Sequence, residues 1–245
     1  MNRRLFLTSM ALTPLFANEM LASTDIYLSR DEWKLLISVN NRLKRVKNYV
    51  GYANFNLISF NDALLYGRHY PKIGAFTKEE LEFTDKLFYE DPSKYGFYGE
   101  KITLSITNTI KKKDVKKIPR TGHYLFRGKA QQDYEFLKDD VGHSIILTSG
   151  VRNVVKQLSL YCNKIYSCGG NMTKASISIA PPAYSYHTIS DFDVGRKGWG
   201  HKNFTADFAT THEFKKMKEL SYIGMRYNKN NKDGVRFEPW HVEVI

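Results

Sequence analysis

Two short stretches near the C-terminus hold the residue types of a hydrolytic metal site. The first, Tyr184-Ser185-Tyr186-His187-Thr188-Ile189-Ser190-Asp191-Phe192-Asp193-Val194-Gly195, offers an imidazole and a carboxylate. The second, Arg236-Phe237-Glu238-Pro239-Trp240-His241-Val242-Glu243, offers another imidazole with Glu238 three residues ahead of it. A zinc hydrolase needs this set: three protein ligands, a fourth position for water, and a carboxylate that accepts the water's proton. Two choices stay open on residue type alone. Asp191 and Asp193 both qualify as the carboxylate ligand, and side chains two apart on a strand share a face, so alternation does not separate them. Glu243, two residues past His241, rivals Glu238 as the base.

The arrangement resembles the D-Ala-D-Ala carboxypeptidase metallopeptidases of the VanY type, whose core also occurs in lysostaphin-like enzymes and the hedgehog signalling domain. The marks of that group are S-x-H-x-x-G-x-A-x-D, a Glu followed closely by Trp-His near the C-terminus, and an upstream S-G-x-R. Here they read Ser185 and His187 with a downstream Asp, Glu238 with Trp240 and His241, and Ser149-Gly150-Val151-Arg152 followed by Gln157. The match covers roughly the last hundred residues, about the size of a small domain. Two positions depart from it: Ser190 replaces the glycine, and Val194 stands where the spacing puts the ligand carboxylate. Deleting one residue from the turn restores an Asp followed by an apolar strand residue, Asp193-Val194, which favours Asp193 over Asp191.

The resemblance implies roles. His187, Asp193 and His241 would hold Zn, and Glu238 would serve as general base. Arg152 would meet a substrate carboxylate or the developing oxyanion, Ser185 and Gln157 would orient substrate, and Trp240 would wall the pocket. The implied activity is zinc-dependent cleavage of peptidoglycan stem peptides, as a D-alanyl-D-alanine or L,D-carboxypeptidase. An endopeptidase, or a non-catalytic cell-wall-binding domain on the same fold, is the alternative.

The elements that must position these residues suggest an α+β fold: a small antiparallel sheet carrying the Zn site, flanked by helices, with a mainly helical extension over 24–140 and the core over 141–245. Arg30 to Val50 carries Trp33, Leu35, Leu36, Val39, Leu43 and Val46 near one stripe, with Gly51 beyond as a stop, which predicts a helix. Thr77-Lys78-Glu79-Glu80 opens a second helix in capping-box fashion, running to Tyr89. Ala130 to Lys138 suits a helix, and alternation predicts a strand over Ile102 to Ile110. In the core, Ser144 to Leu147 reads as a strand that delivers the Ser149 motif, followed by a helix through about Cys162. Further strands are expected at Ser176 to Ala180, Tyr222 to Arg226 and His241 to Ile245, with a helix over Asn203 to Leu220. Gly195-Arg196-Lys197-Gly198-Trp199-Gly200 lacks phosphate-loop spacing and reads as a flexible rim of the cleft.

With 245 residues, 42% of them hydrophobic, the chain can bury a substantial core. Its formal charge of +12 attracts polyanions of any kind, including anionic wall polymer. No nucleic-acid-binding motif accompanies it, and the Lys111 to Lys117 run reads as a solvated turn. Asn2-Arg3-Arg4-Leu5-Phe6 before an apolar segment resembles a twin-arginine export signal over 1–23, too short to span a bilayer, so a periplasmic or cell-envelope location without a stable membrane span is expected. In an oxidising compartment Cys162 and Cys168 suggest a local disulfide.

Overall fold

The structure, a computed structural model, describes residues 25–245. The export-signal reading of 1–23 lies outside them.

The N-terminal part is helical because its helices start well and present one apolar face. Three of them begin with capping boxes: α1 (Arg30–Val50) at Ser29 and Glu32, α3 (Phe60–His69) at Ser59 and Asp62, and α4 (Lys78–Tyr89) at Thr77 and Glu80. In each, a hydroxyl and a carboxylate exchange hydrogen bonds with two backbone N–H groups that the helix leaves free. A single turn, α2 (Tyr52–Phe55), joins α1 to α3. Leu36, Val39, Leu43 and Val46 of α1 are fully buried, and burial of such side chains is worth roughly 1.5–3 kcal/mol each.

A two-stranded ribbon, β1 (Val115–Lys117) with β2 (Tyr124–Phe126), leads to α5 (Lys129–Asp140). Strand β3 (Ile145–Ser149) follows, then α6 (Val154–Ser167) and the short α7 (Met172–Ser176). Strand β4 (Phe192–Arg196), helix α8 (His212–Met217), β5 (Ile223–Gly224) and β6 (His241–Val244) complete the chain. The main sheet is antiparallel with order β3-β4-β6-β5. One core lies on this sheet, where Ile145, Leu147, Phe192, Val194 and Val242 meet Leu137, Phe208 and Phe214. A second joins the α1 stripe to Val155, Leu158, Tyr161 and Ile165 of α6, so α6 carries the site's Arg152 and Gln157 region on one side and the helical layer on the other.

Several expectations are corrected. Residues 102–110 form an irregular loop: Leu104 is 81% exposed, and Ile102 and Thr103 both donate to Ala183 O instead of pairing along a strand. The Ser176 to Ala180 strand is absent because Asn171 caps α7 through Lys174 N and the helix consumes Ser176. Asn203 to Leu220 is two 3-10 turns and the short α8, the second turn and α8 started by caps at Thr205 and Thr211, although Phe208 and Phe214 do point inward. The Tyr222 to Arg226 strand shrinks to Ile223–Gly224. Cys162 and Cys168 are free thiols. Helix α6 continues through Ser167, and six residues of helix separate two positions by about 9 Å, more than the roughly 7 Å a disulfide spans.

Candidate metal centre

The strand register brings the two motifs together. On β4, Asp193 lies opposite His241 of β6 and, across a bulge between Leu147 and Ser149, opposite Ser149 of β3. The bulge turns the chain so that Gly150 passes under β2, where a Cβ would fall 2.0 Å from Tyr124 O; only glycine fits. The freed Gly150 carbonyl accepts a hydrogen bond from His187 Nδ1 at 2.9 Å. His187 itself sits on a 3-10 turn, Tyr186–Thr188, just ahead of β4.

His187, Asp193 and His241 are all buried, and their donor atoms lie within 4.8 Å of one another. His187 Nε2 and His241 Nδ1 stand 3.3 and 3.2 Å from Asp193 Oδ1. A tetrahedral ion with N and O ligands at about 2.0–2.1 Å holds its donors about 3.3 Å apart, so the spacing suits zinc. Hydrogen bonding agrees. His187 Nε2 and Asp193 Oδ1 are buried without any hydrogen-bond partner, a lone pair facing a carboxylate oxygen. A cation between them satisfies both atoms at once. Burial and the nearby Arg152 charge push the His187 pKa down to about 4, which keeps the imidazole neutral and its lone pair free near neutral pH.

The two aspartates divide the work around His241. Asp193 faces Nδ1, while Asp191 Oδ2 accepts from Nε2 at 3.1 Å. Asp191 is saturated: it also accepts from Arg226 Nε at 2.6 Å, from Val244 N at 3.3 Å and from Ser190 Oγ at 3.1 Å. A carboxylate in this position fixes the ring's orientation and tautomer. Burial would raise the Asp191 pKa, but His241 and Arg226 hold it far below the usual range. Burial likewise opposes charge on His241, yet its bond to Asp191 and the negative charge of the facing Asp193 carry its pKa up to about 9 without metal.

Glu238 is buried and lines the same cleft as the three donors. Its backbone is pinned by Tyr227 O at 2.9 Å, and its own carbonyl accepts from His241 N at 3.1 Å, so the turn holds base and ligand together. Desolvation raises its pKa to about 7, the range that suits a general base at neutral pH. Glu243 instead pairs with Arg226 Nη1 at 3.0 Å and lies outside the cleft lining.

The cleft encloses about 320 Å³. Arg152 lines it, donating through Nε to Ser149 Oγ at 2.9 Å and through Nη2 to Asp193 Oδ2. Ser185, Gln157 and Trp240 also line it. Gln157 Nε2 is held by Ala180 O at 2.7 Å and its buried Oε1 has no partner. Trp240 packs edge-on against Phe204 with Arg236 over its ring. The glycine-rich 195–200 segment does not form the rim. Asn203 clamps Arg196 through both backbone groups, and the cleft wall there is Phe204.

Sequence reasoning missed Asp191's role as a ring anchor, its partner Arg226, and three cleft residues: Tyr52, His123 and Lys156. Lys156 lay four residues past Arg152, a helical spacing that could have drawn attention to it. Tyr52 and His123 had no local signal.

Residues 126–245 match the family model for VanY, D-alanyl-D-alanine carboxypeptidase. That match spans just under half of the chain. Among solved structures, the chain is similar to a vancomycin-resistance D,D-dipeptidase, VanXYg, in complex with a D-Ala-D-Ala phosphinate analogue, at 19% identity and a TM-score of 0.45. That similarity covers 52% of each chain, so about half the length of that protein is spanned. It is also similar to VanYB in complex with D-alanine-D-alanine, at 19% identity over 62% of this chain and 86% of the other, with a TM-score of 0.46. A mutant of the VanY D,D-pentapeptidase from a VanB-type resistance cassette, in complex with Zn(II), shows 20% identity over 61% of this chain and 88% of that one, with a TM-score of 0.45. No curated protein matches the chain.

Proposed function

We propose that the chain is a zinc-dependent D-alanyl-D-alanine carboxypeptidase acting on peptidoglycan stem peptides. The observation that carries this reading is the pair of orphaned buried atoms, His187 Nε2 and Asp193 Oδ1, in a cleft shared with a buried carboxylate whose pKa is near 7. His187, Asp193 and His241 would hold the ion, which when bound supplies a Lewis acid that polarises the scissile carbonyl and acidifies water. Glu238 takes the attacking water's proton and passes it to the departing amine. Arg152, anchored by Ser149 and Asp193, keeps Nη1 for the oxygen that gains charge at the scissile carbonyl. Ser185, Gln157 and Trp240 orient the peptide.

Supporting this substrate class are the family match of residues 126–245 and the positive charge of the chain, which suits an anionic wall. On sequence alone, residues 1–23 are proposed as a twin-arginine export signal, placing the enzyme in the periplasm or envelope; the helical 24–140 region and the 141–245 core complete the proposed organisation. Mass spectrometry of muropeptides incubated with the protein tests the reading. The expected product is a stem peptide shortened by one D-alanine, formed with zinc and suppressed by a chelator. Cleavage of cross-links without trimming of free ends would favour an endopeptidase, and trimming at an L,D-bond an L,D-carboxypeptidase.

A further inference from the structure

Two neighbouring cations in the cleft stand in different states. Arg152 is engaged at both Nε and Nη2. Lys156, four residues further on in α6, is only 8% exposed, and no hydrogen bond or ion pair among the described residues uses its Nζ. The charges acting on it, Arg152 and Lys47, are both positive. Its ammonium lies 5.0 Å from the Tyr52 ring centroid and 6.0 Å from that of Phe55. Aromatic faces attract a cation but bring no countercharge. The Tyr52 hydroxyl is turned to His123 Nε2 at 3.2 Å, and Tyr52, His123 and Lys156 line the cleft together with Arg152, His187 and Glu238.

Burying an ammonium without a partner is costly, and proteins keep such a group where something pairs with it. Burial lowers the Lys156 pKa to about 8, so the side chain keeps most of its charge at neutral pH, whereas His123, pushed down to about 4, stays neutral. Asp193 pairs with Arg152 through Oδ2, and no ion pair joins it to Lys156. What the lysine lacks is therefore an anion entering through the cleft.

We propose that Lys156, walled by Tyr52 and His123, is an anion subsite that holds the free C-terminal carboxylate of the peptide substrate. This rests on the hydrolase reading above and assigns to two cations what the sequence offered as alternative roles of Arg152. Lys156 takes the carboxylate, and Arg152 serves the scissile carbonyl. Tyr52 and His123 precede residue 126, so the helical layer and the ribbon supply walls of this subsite from outside the family match.

The test compares N-acetyl-D-alanyl-D-alanine with its C-terminal amide on the zinc-loaded full chain. A charge-assisted contact of this kind is worth about ten- to a hundredfold in binding. Lys156→Met should raise KM for the acid by about that factor while kcat stays within about threefold, and kcat/KM for the amide should not change. Lys156→Arg, which keeps the charge, should recover most of the acid's KM. Equal losses on acid and amide, or no loss on either, would overturn the subsite. Calorimetric binding of both peptides to the Glu238→Gln protein, with and without Lys156→Met, separates this from the hydrolase reading. Tighter, Lys156-dependent binding of the acid without turnover by wild type would leave the subsite standing and remove the hydrolase. Acid and amide bound equally, or neither bound, would remove the subsite.

Discussion

Two of the buried arginine–carboxylate pairs among the described residues are alike in burial and differ in what remains unsatisfied around them. In the helical layer, Arg42 and Glu80 have side chains 11% and 2% exposed; in the cleft, Arg152 and Asp193 are 13% and 4% exposed. Arg42 makes a two-pronged contact with Glu80, through Nε at 2.9 Å and Nη2 at 3.0 Å, and its Nη1 donates to Gly74 O at 2.7 Å. Glu80 spends its remaining capacity on Ser38 Oγ and Thr77 N. Nothing is left over, and the pair ties α1 to α4. Around Asp193, by contrast, one oxygen and the facing imidazole nitrogen lack partners. Equal burial with unequal satisfaction separates a structural ion pair from a site that expects an ion.

Substitutions in the cleft and in the helical layer should have opposite effects on turnover and stability. The largest expected effect is on turnover: Glu238→Gln should keep its zinc and lose about 10² to 10⁴ in kcat, because a general base is removed without touching a donor atom. Kinetics alongside metal analysis check both halves. If Glu243→Gln lost activity and Glu238→Gln did not, the base would be reassigned. Next in size is Glu80→Ala, which strands the Arg42 charge and should cost about 3–5 kcal/mol in denaturant unfolding. Zinc bound per folded chain should not change.

A smaller effect concerns pH. Without metal, His241 has a pKa near 9, raised above its ordinary value by Asp191 and Asp193 against the effect of burial. Zinc needs the Nδ1 lone pair, so a proton must leave below that pH. Apparent zinc affinity should therefore rise about tenfold per pH unit from 7 toward 9 and then level off. Stability of the metal-free protein runs the other way. A raised His pKa contributes fully below about 6.5 and is lost as pH rises through about 9, so unfolding of the apo form should become easier over that interval. Titration with a competing chelator and thermal unfolding at several pH values measure the two trends.

How much of this was legible depended on distance along the chain. His187, Glu238 and His241 sit in short motifs whose spacing survives folding, as does the Ser149 to Arg152 turn. The choice between Asp191 and Asp193 was open in residue type because it turns on strand register: pairing with His241 and the bulge opposite Ser149 place Asp193 in the middle of the sheet, while Asp191 ends on the far side of the imidazole. Helices announced themselves through caps, as at Ser29 and Thr77. Strands did not. The alternation at 102–110 had no neighbouring strand to pair with, so Leu104 faces solvent despite its position in the pattern. Tyr52 reaches the cleft only because α1 and α6 share a core, a contact between segments about a hundred residues apart that no local pattern records.

The central claim is that Asp193, not Asp191, completes a three-residue zinc site. Metal analysis of the purified protein beside Asp193→Ala and Asp191→Ala tests it directly. About one zinc per chain is expected in the wild type. Asp193→Ala should lose it, and Asp191→Ala should retain zinc with affinity weakened by about 10- to 100-fold, the effect of freeing a ligand's orientation. Full zinc occupancy in Asp193→Ala with loss in Asp191→Ala would contradict the assignment.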